Sequence, residues 1–474
     1  MTDERRPAPE LPAPGTIAPV APAVDAEEAR RLDRRRFFRS FAADAMKTAA
    51  TVVGAAGALR ETSAGMASAF LGSVDAPPAP VAATAAAPSE PPSGFRSAFR
   101  LEPEQVVLLD QRRLPDELVE IVCLSGADVA QAVRESVVRG APLLGQVAAC
   151  GLALTAGRSV SSSPHARRAI LFGTANALRN AAPTAAPVRN AMDRMLARFA
   201  ALGELREDGA SMAAALRDEA EAIVGEAVIG HARLVAHGAA LIAANPPGVE
   251  GSALRVLTIG STGALAGGQV GTALAVVGAV RDDGRDVRVL VAETRPWLAG
   301  ARLVAWELAQ AGIPFMLVGD GAAAGLLARG EVDLVIVGAE AVARNGDITC
   351  DPGSYGLAVV AERHAIPFYV AAPLSTYDAE AEDGRALRAE PRAGTELLSL
   401  GGRRIAPEGT PAVNPSVDVV PAELLAAILT EVGALRAPYG TALAAAASTQ
   451  PAASRAGDPA GLDGGPTDPA EAEA

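Results

Sequence analysis

The chain has few aromatic residues and few cysteines, and each shortage excludes a class of protein. Aromatic side chains make up 3% of the 474 residues, so alanine, valine and leucine must fill most of the interior. The three cysteines, Cys123, Cys150 and Cys350, lie far apart, which does not indicate a disulfide-stabilised fold. The chain has no CxxC pair and its four histidines are scattered, so we predict that it holds no metal ion.

Positive charge and long apolar runs are also scarce. The 42 Lys and Arg residues are outnumbered by 55 Asp and Glu, and the net charge of −13 argues against a nucleic-acid-binding protein, which would need a positive field. No apolar run reaches the ~20 residues that a membrane-spanning helix needs. Half of the residues are nevertheless apolar, and a chain of this length can bury a large core.

The N-terminal 94 residues differ in composition from the rest. Residues 1–26 are rich in proline and alanine and are predicted to be a disordered tail, and residues 74–94 to be a linker. Between them, residues 27–73 combine arginines with helically spaced apolar residues, which predicts a basic amphipathic helix. Three interpretations of this helix stay open: packing on its own domain or on a partner, binding to an anionic membrane surface, or twin-arginine export through Arg35-Arg36-Phe37-Phe38. A cytoplasmic location is the prediction, and export is the alternative.

From residue 95 the apolar pattern predicts two folded domains. Residues 95–245 begin with two strand-like runs, at 106–109 and 119–122, and continue as a mostly helical mixed domain. Residues 246–435 alternate short apolar runs with helical segments, which predicts a Rossmann-like parallel sheet covered on both faces. The predicted strands of that sheet are 256–259, 287–292, 315–318, 334–337 and 368–371, and the predicted helices are 269–280, 300–311, 322–328 and 355–364. The fold class is therefore α/β with disordered termini, the second of which is residues 436–474.

Two features mark the carboxyl ends of the predicted strands, where such sheets bind ligands. The glycine-rich stretch 259–272 joins a strand to a helix, and a turn of this kind directs backbone N–H groups and the positive end of a helix dipole towards an anion such as phosphate. Its glycines do not follow the G-x-G-x-x-G spacing, so we discount a nicotinamide site. Glu340 follows the apolar run 334–339, where partial burial raises the pKa of a carboxyl group and suits it to proton transfer.

A series of short segments occurs along the chain in the order expected for one family. The segments are 108–115, 137–142, 262–266, 271–274, 293–297, 300–303, 337–339, 345–347 and 368–376. From residue 95 to residue 433 the chain resembles methylthioribose-1-phosphate isomerase and its relatives, which include ribose-1,5-bisphosphate isomerase and the α, β and δ subunits of translation initiation factor 2B. The resemblance implies the two-domain fold, a homodimer, and a reaction in methionine salvage that needs no cofactor.

The resemblance also implies roles for particular residues. The isomerases open a phosphorylated furanose ring and shift its carbonyl from C1 to C2, using a cysteine in the glycine-rich turn and an aspartate at a later strand tip. The cysteine position falls on Gly260, which has no side chain, and the aspartate position falls on Glu340, which keeps a carboxyl group one methylene further out. The substrate loop of the family is intact at Arg139, Gly140 and Ala141.

Four other substrate-binding positions carry different residue types. Ala182 stands where the family has arginine, Ala299 where it has glutamine, and Cys350 and Asp351 where it has an asparagine and a lysine. Two positive charges are lost and one negative charge is gained, and a unit-charge contact at 4 Å near a protein surface is worth up to about 4 kcal/mol before desolvation. The candidates to restore positive charge are Arg179, Arg189 and Arg295.

Two functional hypotheses follow. The principal prediction is a divergent family member, a pseudoenzyme that lacks the isomerase activity and binds a small molecule, such as a sugar or sugar phosphate, or acts as a regulatory protein. The alternative is an active aldose–ketose isomerase, an intramolecular oxidoreductase with Glu340 as its acid/base group. In a variant of the alternative, Cys350 beside Asp351 is a relocated nucleophile or proton donor; otherwise Cys350 is a spectator thiol.

Overall fold

The computed structural model describes residues 97–249, 251–387 and 391–449. The predicted tail 1–26, basic helix 27–73 and linker 74–94 lie outside the described residues. Interpretations of the basic helix as a partner-binding, membrane-binding or export segment therefore stay predictions.

The first part of the described chain is a three-stranded antiparallel sheet followed by five helices. Their bounds are β1 (Phe99–Leu101), β2 (Val106–Leu109), β3 (Glu120–Cys123), α1 (Gly126–Arg134), α2 (Ala141–Arg158), α3 (Pro164–Ala181), α4 (Ala186–Ala201) and α5 (Gly209–Ala244). Helix α2 is buried along most of its length and packs against α1, α4 and α5. Its small residues allow this close packing, so α2 is the centre of the first core.

The second part is built on a seven-stranded sheet. Its elements are β4 (Leu254–Thr258), α6 (Ala264–Gly267), α7 (Ala273–Asp282), β5 (Val287–Ala292), a π-helical turn (Gly300–Val304), α8 (Ala305–Ala311), β6 (Phe315–Val318), α9 (Asp320–Ala328), β7 (Leu334–Gly338), β8 (Ala341–Val342), β9 (Ile348–Cys350), α10 (Ser354–Arg363), β10 (Phe368–Ala371), α11 (Thr395–Leu398), β11 (Ser399–Leu400), β12 (Arg403–Arg404), β13 (Asp418–Val420), β14 (Ala427–Thr430), β15 (Gly433–Leu435) and α12 (Tyr439–Ser448). The strand order is β15-β14-β10-β7-β4-β5-β6, and neighbours are parallel except for the antiparallel pair β14 and β15. The α/β fold class, with a helical first part and a Rossmann-like sheet, is confirmed.

The predicted strands are all present because strands that are buried on both faces have continuous apolar residues. In β7, for example, every residue from Leu334 to Val337 is fully buried. The sequence analysis missed β14, which extends the sheet, and a small sheet in the order β13-β9-β8. Strands β8, β9 and β13 have only two or three residues each and are too short for an apolar period to identify them.

Two segments differ from their prediction. The predicted helix 269–280 is interrupted, because Gly268 ends α6 with a positive φ of 109° and α7 begins only at Ala273. Residues 436–474 were predicted to be a tail, yet residues 439–448 form α12. The Tyr439 hydroxyl donates a hydrogen bond to the Leu425 carbonyl at 2.7 Å, and Leu443 is 1% exposed. The sequence Tyr439–Ser448 is mostly alanine and has no strong apolar period, so packing decides its structure.

Helix α5 links the two parts. Its 36 residues are long and apolar enough, by length and composition alone, to cross a membrane. It packs on α2 and α4 in the first part and on α7 and β14 in the second. Its apolar residues therefore contribute to both cores, as expected for the central helix of a folded protein. The predicted domain boundary at residue 245 falls just after its end and stays a prediction.

Candidate functional site

A cleft of about 340 Å³ lies where the carboxyl ends of the central strands face the beginning of α2. Seven of the residues singled out in the sequence line it, namely Arg139, Gly140, Ala141, Ala182, Glu340, Cys350 and Asp351. Gly260 lies between two lining residues, Ile259 and Ser261. Ala299 is 1% exposed and is not among the residues that line the cleft. The structure thus brings together segments that are separated by more than 200 positions in the chain.

Arg139 is held in the cleft by contacts from both parts of the protein. The Gln111 side-chain oxygen accepts the Arg139 backbone N–H at 3.1 Å, and its side-chain nitrogen donates to the Leu265 carbonyl at 2.8 Å. The Arg139 guanidinium carbon lies 4.5 Å from the centre of the Trp297 ring. Burial lowers the pKa of Arg139 and the negative charge of Asp351 opposes this, but a guanidinium remains charged in proteins. Arg139 therefore supplies a fixed positive charge.

Gly140 permits the close contact between the two parts. Its φ is +105°, and a Cβ at this position would lie 2.3 Å from the Cα of Ala266. No side chain caps the N-terminus of α2, which begins at Ala141. The positive end of this helix dipole therefore faces the cleft, an arrangement that suits an anion.

Glu340 follows β7 and its carboxyl group lines the cleft. Thr184 donates a hydrogen bond from its hydroxyl to Glu340 Oε2 at 2.8 Å. Burial raises the pKa of Glu340, and the negative charge of Asp351 raises it further, against the opposing effects of Thr184, Arg139 and Arg392. The protonated form is thus retained to higher pH than for an exposed glutamate, which suits the group to donate a proton.

Cys350, which was considered as a relocated nucleophile, is 4% exposed. Burial raises the pKa of its thiol above the ordinary value, and the hydrogen bond with Ser354 only partly opposes this. Because the thiolate is the reactive form of cysteine, this environment argues against nucleophilic chemistry at Cys350. The carboxyl groups of Glu340 and Asp351 are the better candidates for proton exchange.

The positive charges of the cleft come from unexpected positions. Arg179 pairs with Asp193, Arg189 with Asp378, and Arg295 donates to the Leu397 carbonyl; none of these three arginines lines the cleft. The arginines that line it together with Arg139 are Arg134 and Arg392. No sequence signal marked Arg392, because it precedes a four-residue helix in a segment without an apolar period.

Arg392 is oriented by two contacts. Its Nε and Nη2 donate to the Glu396 carboxylate at 2.8 and 2.6 Å. Its guanidinium carbon lies 5.7 Å from the centre of the Trp297 ring, the same ring that Arg139 contacts. The pair of arginines beside Trp297 concentrates positive charge at one side of the cleft, although Glu396 offsets part of it.

Several polar atoms in the cleft have no hydrogen-bond partner among the described residues. They are Arg139 Nε, Ser261 Oγ and Ser416 Oγ. Buried polar groups are almost always hydrogen-bonded in folded proteins, so a polar ligand fits this cleft better than an apolar one. No group of three or more His, Cys, Asp or Glu side chains within the described ranges is arranged to hold a metal ion. A reaction without metal or cofactor stays a prediction.

Glu307, on α8, accepts hydrogen bonds from the backbone of the glycine-rich turn. Its Oε2 accepts the backbone N–H groups of Ala264 and Leu265 at 2.6 and 3.3 Å. Burial raises the pKa of Glu307 to about 7, because desolvation outweighs the two hydrogen bonds. The folded state therefore favours the protonated form, and ionisation of Glu307 destabilises the turn.

This group predicts a pH dependence of stability. A raised folded-state pKa contributes stability that is complete below the ordinary value of 4.5 and is lost as the pH rises through about 7. The loss is up to about 3 kcal/mol, at 1.36 kcal/mol per pKa unit. In Glu307→Gln the amide oxygen still accepts the backbone N–H groups, so we expect a smaller decrease of the free energy of unfolding between about pH 5 and about pH 8. Denaturant titrations at both pH values measure it, and equal decreases in variant and parent would contradict this role for Glu307.

Comparisons with known proteins agree with the fold. Residues 137–437 match the model of the initiation factor 2 subunit family. The chain is 45% identical over 339 residues to the methylthioribose-1-phosphate isomerase of Desulforudis audaxviator, covering 72% of this chain and 94% of the relative. It is 44% identical over 358 residues to the enzyme of the same name from an Anaeromyxobacter species, covering 75% and 99%.

Solved structures give the same relationship. The 5-methylthioribose 1-phosphate isomerase of Pyrococcus horikoshii superposes with a TM-score of 0.66 at 33% identity, covering 76% of this chain and 97% of that one. The delta subunit of the translation initiation factor eIF-2B from A. fulgidus superposes with a TM-score of 0.60 at 33% identity, covering 73% and 97%. The resemblance found in the sequence is thereby confirmed. The chain belongs to the initiation factor 2 subunit family, and its relatives there include proteins named methylthioribose-1-phosphate isomerase.

Proposed function

We propose that the protein is an aldose–ketose isomerase that acts on methylthioribose 1-phosphate or a closely similar sugar phosphate, with Glu340 as an acid/base group. The observation that carries the proposal is a carboxyl group of raised pKa in a cleft with three arginines, in a chain 45% identical to an enzyme of that name over 94% of its length. The comparisons favour this alternative over the pseudoenzyme hypothesis, for which they offer no support. The substituted positions at 182, 260, 299 and 350–351 then mark altered site chemistry.

The reaction requires one proton to be donated to the substrate and one proton to be removed from it, so the substrate neither gains nor loses a proton overall. A proton is donated to the ring oxygen as its bond to C1 breaks, the hydrogen on C2 moves to C1, and the proton of the 2-hydroxyl is removed as C2 becomes the carbonyl carbon. C1 is reduced and C2 is oxidised within one molecule, so no external oxidant is needed. Protonated Glu340 is suited to the first transfer, because donation turns a desolvated acid into a carboxylate that Arg139 and Arg392 stabilise.

The cations and the start of α2 account for binding of the phosphate group. Arg139, Arg134 and Arg392 line the cleft, and the first turn of α2 has no side-chain cap. Helix N-termini and arginines are the usual phosphate ligands in proteins. Arg134 and Arg392 supply, from other places in the chain, positive charge in place of that absent at positions 182 and 351.

The test is conversion of methylthioribose 1-phosphate by the purified full chain, followed by NMR of the ketose carbon. We expect catalytic turnover, and no turnover of unphosphorylated methylthioribose, which lacks the group that the arginines bind. Absence of ketose product after many hours at high protein concentration would refute the proposal. Light scattering of the same sample tests the predicted homodimer.

A further inference from the structure

We propose that Asp351 is the second proton-transferring carboxylate of the cleft, and that it occupies the space into which a side chain at position 260 would project. The inference rests on the proposed isomerase function, since it assigns the group that removes the 2-hydroxyl proton. No sequence feature connects Gly260 with Asp351, which are 91 positions apart.

The geometry of the glycine turn shows that the two positions share one space. A Cβ built on Gly260 would lie 2.2 Å from Asp351 Oδ2, 2.9 Å from its Cγ and 3.1 Å from its Cβ. Contacts under 3.0 Å between such atoms require one of them to move, so no side chain fits at position 260 while Asp351 is in place. The Asp351 carboxylate therefore lies where the side chain of residue 260 would begin.

Asp351 is held in this position by a backbone group and a cation. Its Oδ2 accepts the Ser261 backbone N–H at 3.3 Å, and its Oδ1 lies 3.9 Å from Arg139 Nη2. A carboxylate anion makes contacts of this kind. The side chain is 20% exposed and lines the cleft, so a ligand can reach it.

The environments of the two carboxyl groups differ in the direction that an acid–base pair requires. Glu340 accepts one hydroxyl hydrogen bond in a desolvated position, whereas Asp351 accepts a backbone N–H and lies beside a guanidinium. The negative charge of Asp351 raises the pKa of Glu340. Two carboxyl groups in different surroundings commonly divide the roles of acid and base.

The pair completes the proton balance of the reaction. Glu340 gives its proton to the ring oxygen as the C1–O bond breaks, and Asp351 takes the proton of the 2-hydroxyl as C2 becomes a carbonyl. After one turnover Glu340 is ionised and Asp351 is protonated. Exchange of one proton between the pair, directly or through solvent, restores the starting state without an additional reactant.

The experiment compares Asp351→Asn with a matched control, Asp383→Asn. Asp383 also accepts a backbone N–H, that of Arg385 at 2.8 Å, and pairs with the Arg385 guanidinium at 2.5 Å, but it does not line the cleft. We expect Asp351→Asn to lower kcat by roughly 10²-fold or more, as for loss of a general base. We also expect the alkaline limb of its pH–rate profile to move to lower pH, because the charge that raises the pKa of Glu340 is removed. Asp383→Asn should change neither.

A second measurement needs no substrate. Gly260→Ala is made in the parent and in an Asp351→Gly background, so that the strain of its positive φ of 88° is common to both. We expect a clearly smaller loss of melting temperature in the Asp351→Gly background, because the clash with the carboxylate is gone. Equal losses would show that the two positions do not share the space, and would overturn the inference.

The outcomes separate this inference from the proposed function. If the parent protein converts the sugar phosphate while Asp351→Asn keeps its kcat and its pH profile, Asp351 has no role in proton transfer and the isomerase proposal stands. A change in KM and melting temperature alone, with kcat and the pH limb unchanged, identifies Asp351 as a structural counter-ion of Arg139 and also overturns the inference. A parent protein without turnover overturns both proposals.

Discussion

Replacement of Glu340 by glutamine is expected to lower kcat/KM for methylthioribose 1-phosphate by roughly 10²–10⁴-fold, the usual effect of losing a general acid or base. The amide keeps the size of the side chain and still accepts the Thr184 hydrogen bond, so binding and folding should change little. What is lost is the exchangeable proton. Steady-state kinetics measure the effect, and we expect most of it in kcat.

The pH dependence of the parent enzyme tests the same role. Activity that needs protonated Glu340 falls as the pH rises through its raised pKa, above the ordinary value of 4.5. This alkaline limb should be absent from the residual activity of Glu340→Gln. Glu340→Asp keeps a carboxyl group and should be more active than the amide variant. An amide variant with parental kcat and an unchanged limb would exclude Glu340 as the proton donor.

The second large effect is expected for Gly140→Ala, which should lower the free energy of unfolding by roughly 3 kcal/mol from backbone strain and overpacking together. The added methyl group would lie 2.3 Å from the Ala266 Cα in a residue whose φ is +105°. The Ala266 backbone oxygen would lie 2.5 Å away as well, so the new methyl group would meet the α6 backbone and could be accommodated only if that backbone moved. Denaturant titration measures the loss, and KM should rise because Arg139 precedes this residue.

Gly203→Ala is the matched control for the cost of backbone strain. Gly203 also has a positive φ, of 82°, but a Cβ there would have no atom within 4 Å. Its substitution should therefore cost only the strain of the left-handed conformation, roughly 1 kcal/mol. If the two variants lost equal stability, the contact between Gly140 and Ala266 would not be tight in solution.

Periodicity predicted most of the fold because the strongest signals are local. The run at 334–337 is apolar throughout, as expected for a strand buried on both faces, and the domain predicted to be mostly helical contains the long helices α2 and α5. Short elements were missed for the opposite reason. Strands β8 and β9 have two and three residues; β8 pairs with β9, and β9 pairs in turn with β13, which lies about 70 positions away.

Some features of the candidate site could likewise be predicted from the sequence, and others could not. From the sequence one could predict that Arg139 lies near the start of a helix and that Glu340 lies at the tip of a strand. The sequence showed that Gly260 has no side chain, but it could not show what occupies the space beside it. The Asp351 carboxylate that lies there comes from the turn after β9. Arg392 was not predicted at all, since its place beside Trp297 depends on a segment without regular periodicity.

By itself, the sequence determined the order of the main strands and helices, the family, and the presence of a carboxyl group where a parallel sheet binds ligands. Only the tertiary structure decided which charges meet in the cleft, and that the carboxylate of Asp351 fills the space beside Gly260. The physical reason is that backbone preference and apolar periodicity act over a few residues. The pKa of Glu340, by contrast, depends on burial and on Asp351, Thr184, Arg139 and Arg392, which folding brings together from distant parts of the chain.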